Sequence, residues 1–300
     1  MKLESPLRYP GGKASLSNFL IDVIDLNDLR GCEYFEPYAG GAGAALRLLE
    51  TGAVNKIHLN DADRRISAFW QSAIHHTEEF IAKINSIELT IDEWHKQKAI
   101  SQSPSRAKVL DLGLSTFYLN RCNRSGVLSA GPIGGYAQEG KWRMDVRFNR
   151  ETLINRIRSI GSMREAITIS SSDALEFLKE KLPRGSARSR VLVYLDPPYV
   201  EQARRLYLNS YESRDHVFVA AHMRKQKVLP WVMSYDDCEL VRSLYANDCS
   251  VSNIPVKYSL NKKRVSNELL IAPPHMVLPH QCRANLLSTQ KYLQELSDAQ

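Results

Sequence analysis

The chain has no run of 18 apolar residues, so no segment is long enough to span a bilayer as a helix. The opening Met1-Lys2-Leu3-Glu4-Ser5-Pro6 lacks the apolar core of a signal peptide, so export is not expected. The five cysteines, Cys32, Cys122, Cys238, Cys249 and Cys282, include no CxxC and no His/Cys pair at metal-ligand spacing. That pattern excludes zinc modules and thioredoxin-like centres and suits reduced thiols in a cytosolic compartment. None of the five lies beside a feature that marks a nucleophile, so all are read as packing residues, and no metal site is expected. The phosphate-loop pattern GxxxxGK[ST] is absent, as are internal repeats and low-complexity tracts.

What is present is ordinary in bulk and specific in detail. Three hundred residues with 43% hydrophobic content suit one α/β domain with a large insertion, or two domains. Lys and Arg number 40 against 33 Asp and Glu, a net charge of +7. A polyanionic partner fits that balance, and so does a merely basic soluble protein.

The first 70 residues alternate strand and helix signals. Tyr34-Phe35-Glu36 ends a strand, a glycine-rich turn follows, Ala42 to Leu49 reads as a helix, and Lys56-Ile57-His58-Leu59 is a second strand closed by Asn60-Asp61. Together they make a βαβ unit. Residues 71–165 read as mostly helical, through Phe80, Ile81, Ile84 and Ile87 and again from Val109 to Asn120. A Gly/Ser-rich stretch then runs to Gly140, with Arg121, Arg124, Tyr136, Lys141, Trp142, Arg143 and Arg147 mixing cations and aromatics. The α/β rhythm returns at Ile167-Thr168-Ile169, with strands at 191–195 and 231–234 and a hairpin over 256–272.

The apolar run Val191-Leu192-Val193-Tyr194-Leu195 reads as a buried parallel strand, and Asp196-Pro197-Pro198-Tyr199 stands at its carboxyl end. Open α/β sheets bind ligands there. Asp196 and the Pro197 carbonyl can both accept from one –NH₂ group, Pro197 brings no competing N–H, and Tyr199 can stack on a planar ring. Two acceptors on such an amine pull its nitrogen toward sp³ and expose the lone pair. The bland reading is a proline-rich loop after a buried strand. The turn Glu36-Pro37-Tyr38-Ala39-Gly40-Gly41 precedes a helix start with free N–H groups, which suits a ligand or a tight connection. Asp61, 25 residues after Glu36, stands where Rossmann-like sheets bind ribose hydroxyls, or it is a turn or cap acid. Asp173 either accepts from a ligand amine or caps the helix that begins at Ala174. In Arg8-Tyr9-Pro10-Gly11-Gly12-Lys13, Lys13 could pair with an anionic group and Tyr9 offers a stacking face, unless the segment is a plain turn.

The set Arg8-Tyr-Pro-Gly-Gly-Lys13, Phe35-Glu-Pro-Tyr-Ala-Gly-Gly41, Asn60-Asp61 and Asp196-Pro-Pro-Tyr199 resembles the Dam-type (D12 class) adenine-N6 DNA methyltransferases, in the family's order, over residues 5 to 272. The resemblance implies a Rossmann-like S-adenosylmethionine-dependent methyltransferase sheet with a mostly helical target-recognition insertion. The catalytic domain would be 1–70 and 166–275, the insertion 71–165, and 276–300 a tail. Tyr9, Lys13, Glu36, Pro37, Tyr38, Ala39, Gly40, Gly41, Asp61, Asp173 and Asp196 would line the S-adenosyl-L-methionine pocket, with Asp61 on the ribose. Asp196, Pro197, Pro198 and Tyr199 would hold a flipped adenine beside the methyl group. Arg121, Asn123, Arg124, Ser125, Lys141, Arg143 and Arg147 would face double-stranded DNA, the segment after Ser125 leading into a hairpin. Lys262, Lys263 and Arg264 would meet the phosphate backbone. Two departures stand out: Tyr9 replaces the tryptophan of other members, and Gly126 to Gly140 does not match the target-reading hairpin of GATC methylases, which leaves the target sequence open.

The rival acceptors are adenine in RNA, cytosine N4 and a glutamine side chain. The leading Asp, in place of Ser or Asn, favours adenine. A catalytically silent DNA-binding regulator is the rival of another class, and the intact Asp61 and Asp196 speak against it. The expected setting is cytoplasmic and nucleoid-associated, in a bacterium or from a phage, as a monomer or weak dimer, with a restriction endonuclease as a candidate partner.

Overall fold

The computed structural model describes residues 3–8, 16–200, 211–258 and 264–279, with backbone alone at 254–258 and 264–267. Tyr9, Lys13, Lys262, Lys263 and the Arg264 side chain lie outside the described part, and so does Cys282.

Seven strands form one sheet: β1 Cys32–Glu36, β2 Val54–Asn60, β3 Ile167–Ser170, β4 Val191–Leu195, β5 Trp231–Asp236, β6 Ser250–Tyr258 and β7 Arg264–Ala272. Their order is β3-β2-β1-β4-β5-β7-β6. The first five are parallel, and β7 joins β5 antiparallel, as β6 joins β7. All five residues of β4 are buried, which is why its sequence is continuously apolar: it sits mid-sheet with helices on both faces. The hairpin is longer than its sequence signal, beginning at Ser250. Serines, Asn253 and Pro255 hide its first half, because an edge strand tolerates polar residues and proline.

The helices are α1 Ser17–Leu26, α2 Gly43–Glu50, α3 Arg64–His75, α4 Thr77–Ser86, α5 Ile91–Gln102, α6 Val109–Cys122, α7 Arg150–Ser162, α8 Ala174–Lys181, α9 Ser213–Arg224 and α10 Glu239–Tyr245. Alternate strand residues face opposite cores. Tyr34, Ile57, Leu192, Tyr194 and Val232 meet α1 to α4, α6 and α7, whereas Phe35, Val193, Leu195, Trp231 and Met233 meet α8, α9 and α10. The helices of residues 71–165 share the first of these cores. Phe69 of α3 stacks on Phe117 of α6 at 5.9 Å, with Phe80 of α4 edge-on to both. A Cβ at Gly113 would lie 2.7 Å from the Ala68 carbonyl oxygen, so the α3–α6 crossing demands glycine there. Among the described residues no helix is long and apolar enough to cross a membrane.

Candidate active site

Strand order reverses between β1 and β4, so the crevice at their carboxyl ends is the sheet's topological switch point. Glu36 ends β1, Asp196 follows β4, and Asp61 follows β2.

Buried Asn60 ties these exits together. Its amide donates to the carbonyls of Pro37 and Ser172, both at 3.0 Å, and its Oδ1 accepts from Ser172 N–H at 3.1 Å. The Ala39 N–H reaches the Asn60 carbonyl at 2.8 Å. The turn Pro37–Gly41 is therefore held against β2 and β3, with Trp70 donating to the Gly40 carbonyl at 2.9 Å. Asp61 accepts from Gly40 N–H and Asp63 N–H, both at 2.9 Å. Burial nonetheless pushes its carboxyl up to about 7, and Asp63 adds repulsion. Glu36 is fully buried, and its Oε2 has no hydrogen-bond partner; nor does the neighbouring Tyr34 hydroxyl. Burial, then the charges of Asp196 and Asp61, push the Glu36 carboxyl well above its usual range.

Asp196 accepts from Ser234 of β5 at 2.8 Å, and Ser234 is linked in turn to the Tyr194 hydroxyl at 2.8 Å. The Tyr199 hydroxyl donates to buried Glu268 of β7 at 2.5 Å, which fixes the ring at the rim of the notch. The Val200 N–H reaches Asp236 at 3.1 Å, pinning the chain beyond the motif. On the other wall Tyr38 meets Tyr211 through their hydroxyls at 2.8 Å. Three carboxyl groups thus converge on one crevice from three strands, two of them held above their usual ionisation range, Asp61 by burial and Asp63, Glu36 by burial, Asp196 and Asp61.

Several placements refine the sequence reading. Asp173 is the α8 cap: its Oδ1 accepts from Leu175 N–H at 2.9 Å and Glu176 N–H at 3.3 Å. Asn123, expected at a DNA surface, is instead wholly buried. Its Oδ1 accepts from Trp94 at 2.7 Å and its amide donates to the carbonyls of Val127 and Leu128 at 3.0 and 3.2 Å. With its hydrogen-bonding capacity spent inside, Asn123 organises the loop rather than presenting itself. The hairpin expected after Ser125 does not form either. Residues 123–148 are turns and two short 3₁₀ segments, with a single bridge between Asn123 and Pro132.

Arg124, Lys141, Arg143 and Arg147 are exposed, as are Trp142 and Tyr136, each 60% accessible. Lys141 lies over the Trp142 ring at 5.4 Å, and His95 stacks on Tyr136 at 5.9 Å. Arg121 is mostly buried, with an unpartnered Nε. Burial and the neighbouring Arg156, Arg8 and Arg147 push its guanidinium down to about 10. Arg156 is offset by Glu4, which leaves Arg8, Arg121 and Arg147 as a cationic pocket. Arg8 reaches it because Asn120 brackets its backbone, accepting from Arg8 N–H and donating to the Arg8 carbonyl, both at 2.7 Å. Gly126 lies across this junction with φ +76, and a Cβ there would meet the Arg8 carbonyl at 2.5 Å. Ser234, Glu268 and Asn120 have no role in the sequence reading, and Arg8 and Asn60, which stand in its motifs, take theirs from the packing of distant segments.

Three of the described cysteines have thiols raised by burial. Burial pushes Cys32 up to about 11 and Cys122 up to about 12, and Cys249 is likewise raised to about 11.

A sheet of this order, with acids rimming its switch point, is consistent with the Rossmann-like methyltransferase fold. The sequence model described as D12 class N6 adenine-specific DNA methyltransferase matches residues 9–260, and the chain belongs to that family. No curated protein matches the sequence. Two solved structures are similar at low identity. A conserved hypothetical protein of Streptococcus pyogenes shares 10% identity over 83% of this chain and 89% of its own, with a TM-score of 0.35. A candidate RNA methyltransferase of Pyrococcus horikoshii shares 12% identity over 89% of this chain and 85% of its own, with a TM-score of 0.38.

Proposed function

We propose that the chain transfers a methyl group from S-adenosylmethionine to N6 of an adenine flipped out of double-stranded DNA. The observation that carries this reading is the convergence of Glu36, Asp61 and Asp196 at the switch point, with Glu36 Oε2 buried and unpartnered. Burying an acceptor without a partner costs about 1–3 kcal/mol, more if it is charged, so the crevice calls for a cationic, hydroxyl-bearing ligand. S-adenosylmethionine fits that demand. Glu36 would face its cationic groups, Asp61 its ribose hydroxyls, and the Pro37–Gly41 turn its flank. Bound there, it supplies an electrophilic methyl group on a positively charged sulfur.

The chain's own residues do the rest. Asp196, oriented by Ser234, accepts from the adenine amino group, and the Pro197 carbonyl accepts its second N–H. Pro198 keeps the segment rigid. Tyr199, anchored through Glu268, stacks on the base. These contacts offset the few kcal/mol that flipping requires. The amine gives up one proton on methylation, and Asp196, already accepting that N–H, receives it. Catalysis is chiefly positioning.

DNA lies across the exposed basic and aromatic loop. Arg124, Lys141, Arg143 and Arg147 meet phosphates, and Trp142 offers a stacking face. Arg8, Arg121 and Arg147 together take one phosphate, whose charge relieves their mutual repulsion. Lys262, Lys263 and Arg264, which the family resemblance assigns to the phosphate backbone, extend that contact. The test is transfer of labelled methyl groups from S-adenosylmethionine to unmethylated duplex DNA, with RNA of the same sequence in parallel. Label in DNA adenine is the expected result; label confined to RNA, or none at all, rejects the proposal.

A further inference from the structure

On the opposite edge of the sheet, where β4 begins, a cleft of about 350 Å³ lies between the last turn of α8, residues 182–190 and the last turn of α9. Its polar lining includes Lys179, Arg184, Arg188 and His222 and no carboxylate. The Arg188 Nε is buried there without a partner. None of these three cations has a carboxylate within ion-pair reach among the described residues; nearby Arg224 is paired with Asp248. His222 feels only positive neighbours, Lys179, Arg188 and Lys225, and burial and these charges lower its proton affinity. Leu182 and Pro183 give the cleft an apolar wall.

Residues 179–190 and 222–227 hold eight Lys and Arg against Glu180 alone, and only Arg224 of the eight is in an ion pair among the described residues, with Asp248. This basic cluster lies at the opposite end of β4 from the methyl-transfer notch. Five residues of β4 separate the two, roughly 17 Å at about 3.3 Å per residue.

We propose that the cleft is a second, sequence-independent phosphate site that holds the backbone of another nucleic-acid segment. Cations without partners around an unpartnered guanidinium nitrogen are what a phosphodiester would neutralise, releasing counterions as it binds. The function would be to hold the protein on DNA while the notch changes targets. The proposal needs a nucleic-acid ligand but not methyl transfer.

The test uses the full chain with Arg184→Gln and Arg188→Gln combined, both on a surface turn, with folding checked by circular dichroism. Protein bound to an immobilised duplex is offered a second, labelled duplex. Wild type should capture the second duplex, with a salt slope about two units steeper than the residual capture of the double variant. Capture by the variant should fall at least tenfold. Methylation of a duplex too short to bridge should keep its kcat and KM. Unchanged capture in a folded variant overturns the proposal. Inorganic pyrophosphate is the competing probe: saturable binding to wild type that excess duplex does not displace would assign the cleft to small phosphates and overturn the nucleic-acid reading. Capture without any methylation would reject the proposed reaction and leave this site standing.

Discussion

Glu36→Gln separates stability from function at the crevice. The substitution keeps the size and shape of the side chain while removing the charge. In the free protein the native carboxyl is buried beside Asp196 and Asp61, with Oε2 unpartnered. An unsatisfied buried polar group costs about 1–3 kcal/mol. At about 2–4 °C per kcal/mol, the variant's thermal midpoint at pH 8.5 should rise by about 2–12 °C. Binding should move the other way. A charge-assisted hydrogen bond contributes about 1.5–3 kcal/mol, so affinity for S-adenosylmethionine should fall by roughly tenfold to a hundredfold. Differential scanning fluorimetry reads the first effect and titration calorimetry the second. A lower midpoint with unchanged affinity would refute the reasoning, because Glu36 would then be a structural residue that the ligand never meets.

Further outcomes follow from the same geometry. Asp61, raised to about 7 in the free protein, holds a proton that the unfolded chain releases near its ordinary value of 3.8. Its contribution to stability is therefore full at low pH and lost as pH rises through about 7, so the ligand-free midpoint should fall across that window. The ligand requires the ionised form, so S-adenosylmethionine affinity should climb with pH up to about 7 and then level, a profile that Asp61→Asn should flatten. Ser234→Ala removes the donor to Asp196 and should lower kcat about tenfold with little change in cofactor affinity, measured by steady-state kinetics. Asn123→Ala strands the Trp94 N–H and should cost about 1–3 kcal/mol in denaturant unfolding while the salt slope of DNA binding holds. Arg143→Ala should do the reverse, lowering that slope by about one unit with stability intact.

The sheet was legible because buried parallel strands write themselves as apolar runs and their exits carry acids and glycines. Val191–Leu195 with Asp196 is the case in point, whereas Val54–Asn60, before Asp61, mixes apolar and polar residues. Pairings across long separations left no local trace. Glu268 anchors Tyr199 from 69 residues away, and Asn120 brackets Arg8 from 112. Asn123 misled because its neighbours Arg121, Arg124 and Ser125 look like surface, whereas Trp94, 29 residues upstream, draws it inside. The long β6–β7 hairpin was under-read because edge strands relax the alternation on which strand recognition rests.

The central claim is methyl transfer to adenine N6 in DNA at the Asp196 notch. The most direct measurement is nucleoside mass spectrometry, with long-read mapping, on DNA from a methylation-free host expressing either the native chain or Asp196→Ala. The account predicts N6-methyldeoxyadenosine at one recurring short sequence with the native chain and none with the variant, which still binds DNA. Equal N6-methyladenine from both chains, or none from the native chain given S-adenosylmethionine and DNA, would contradict it.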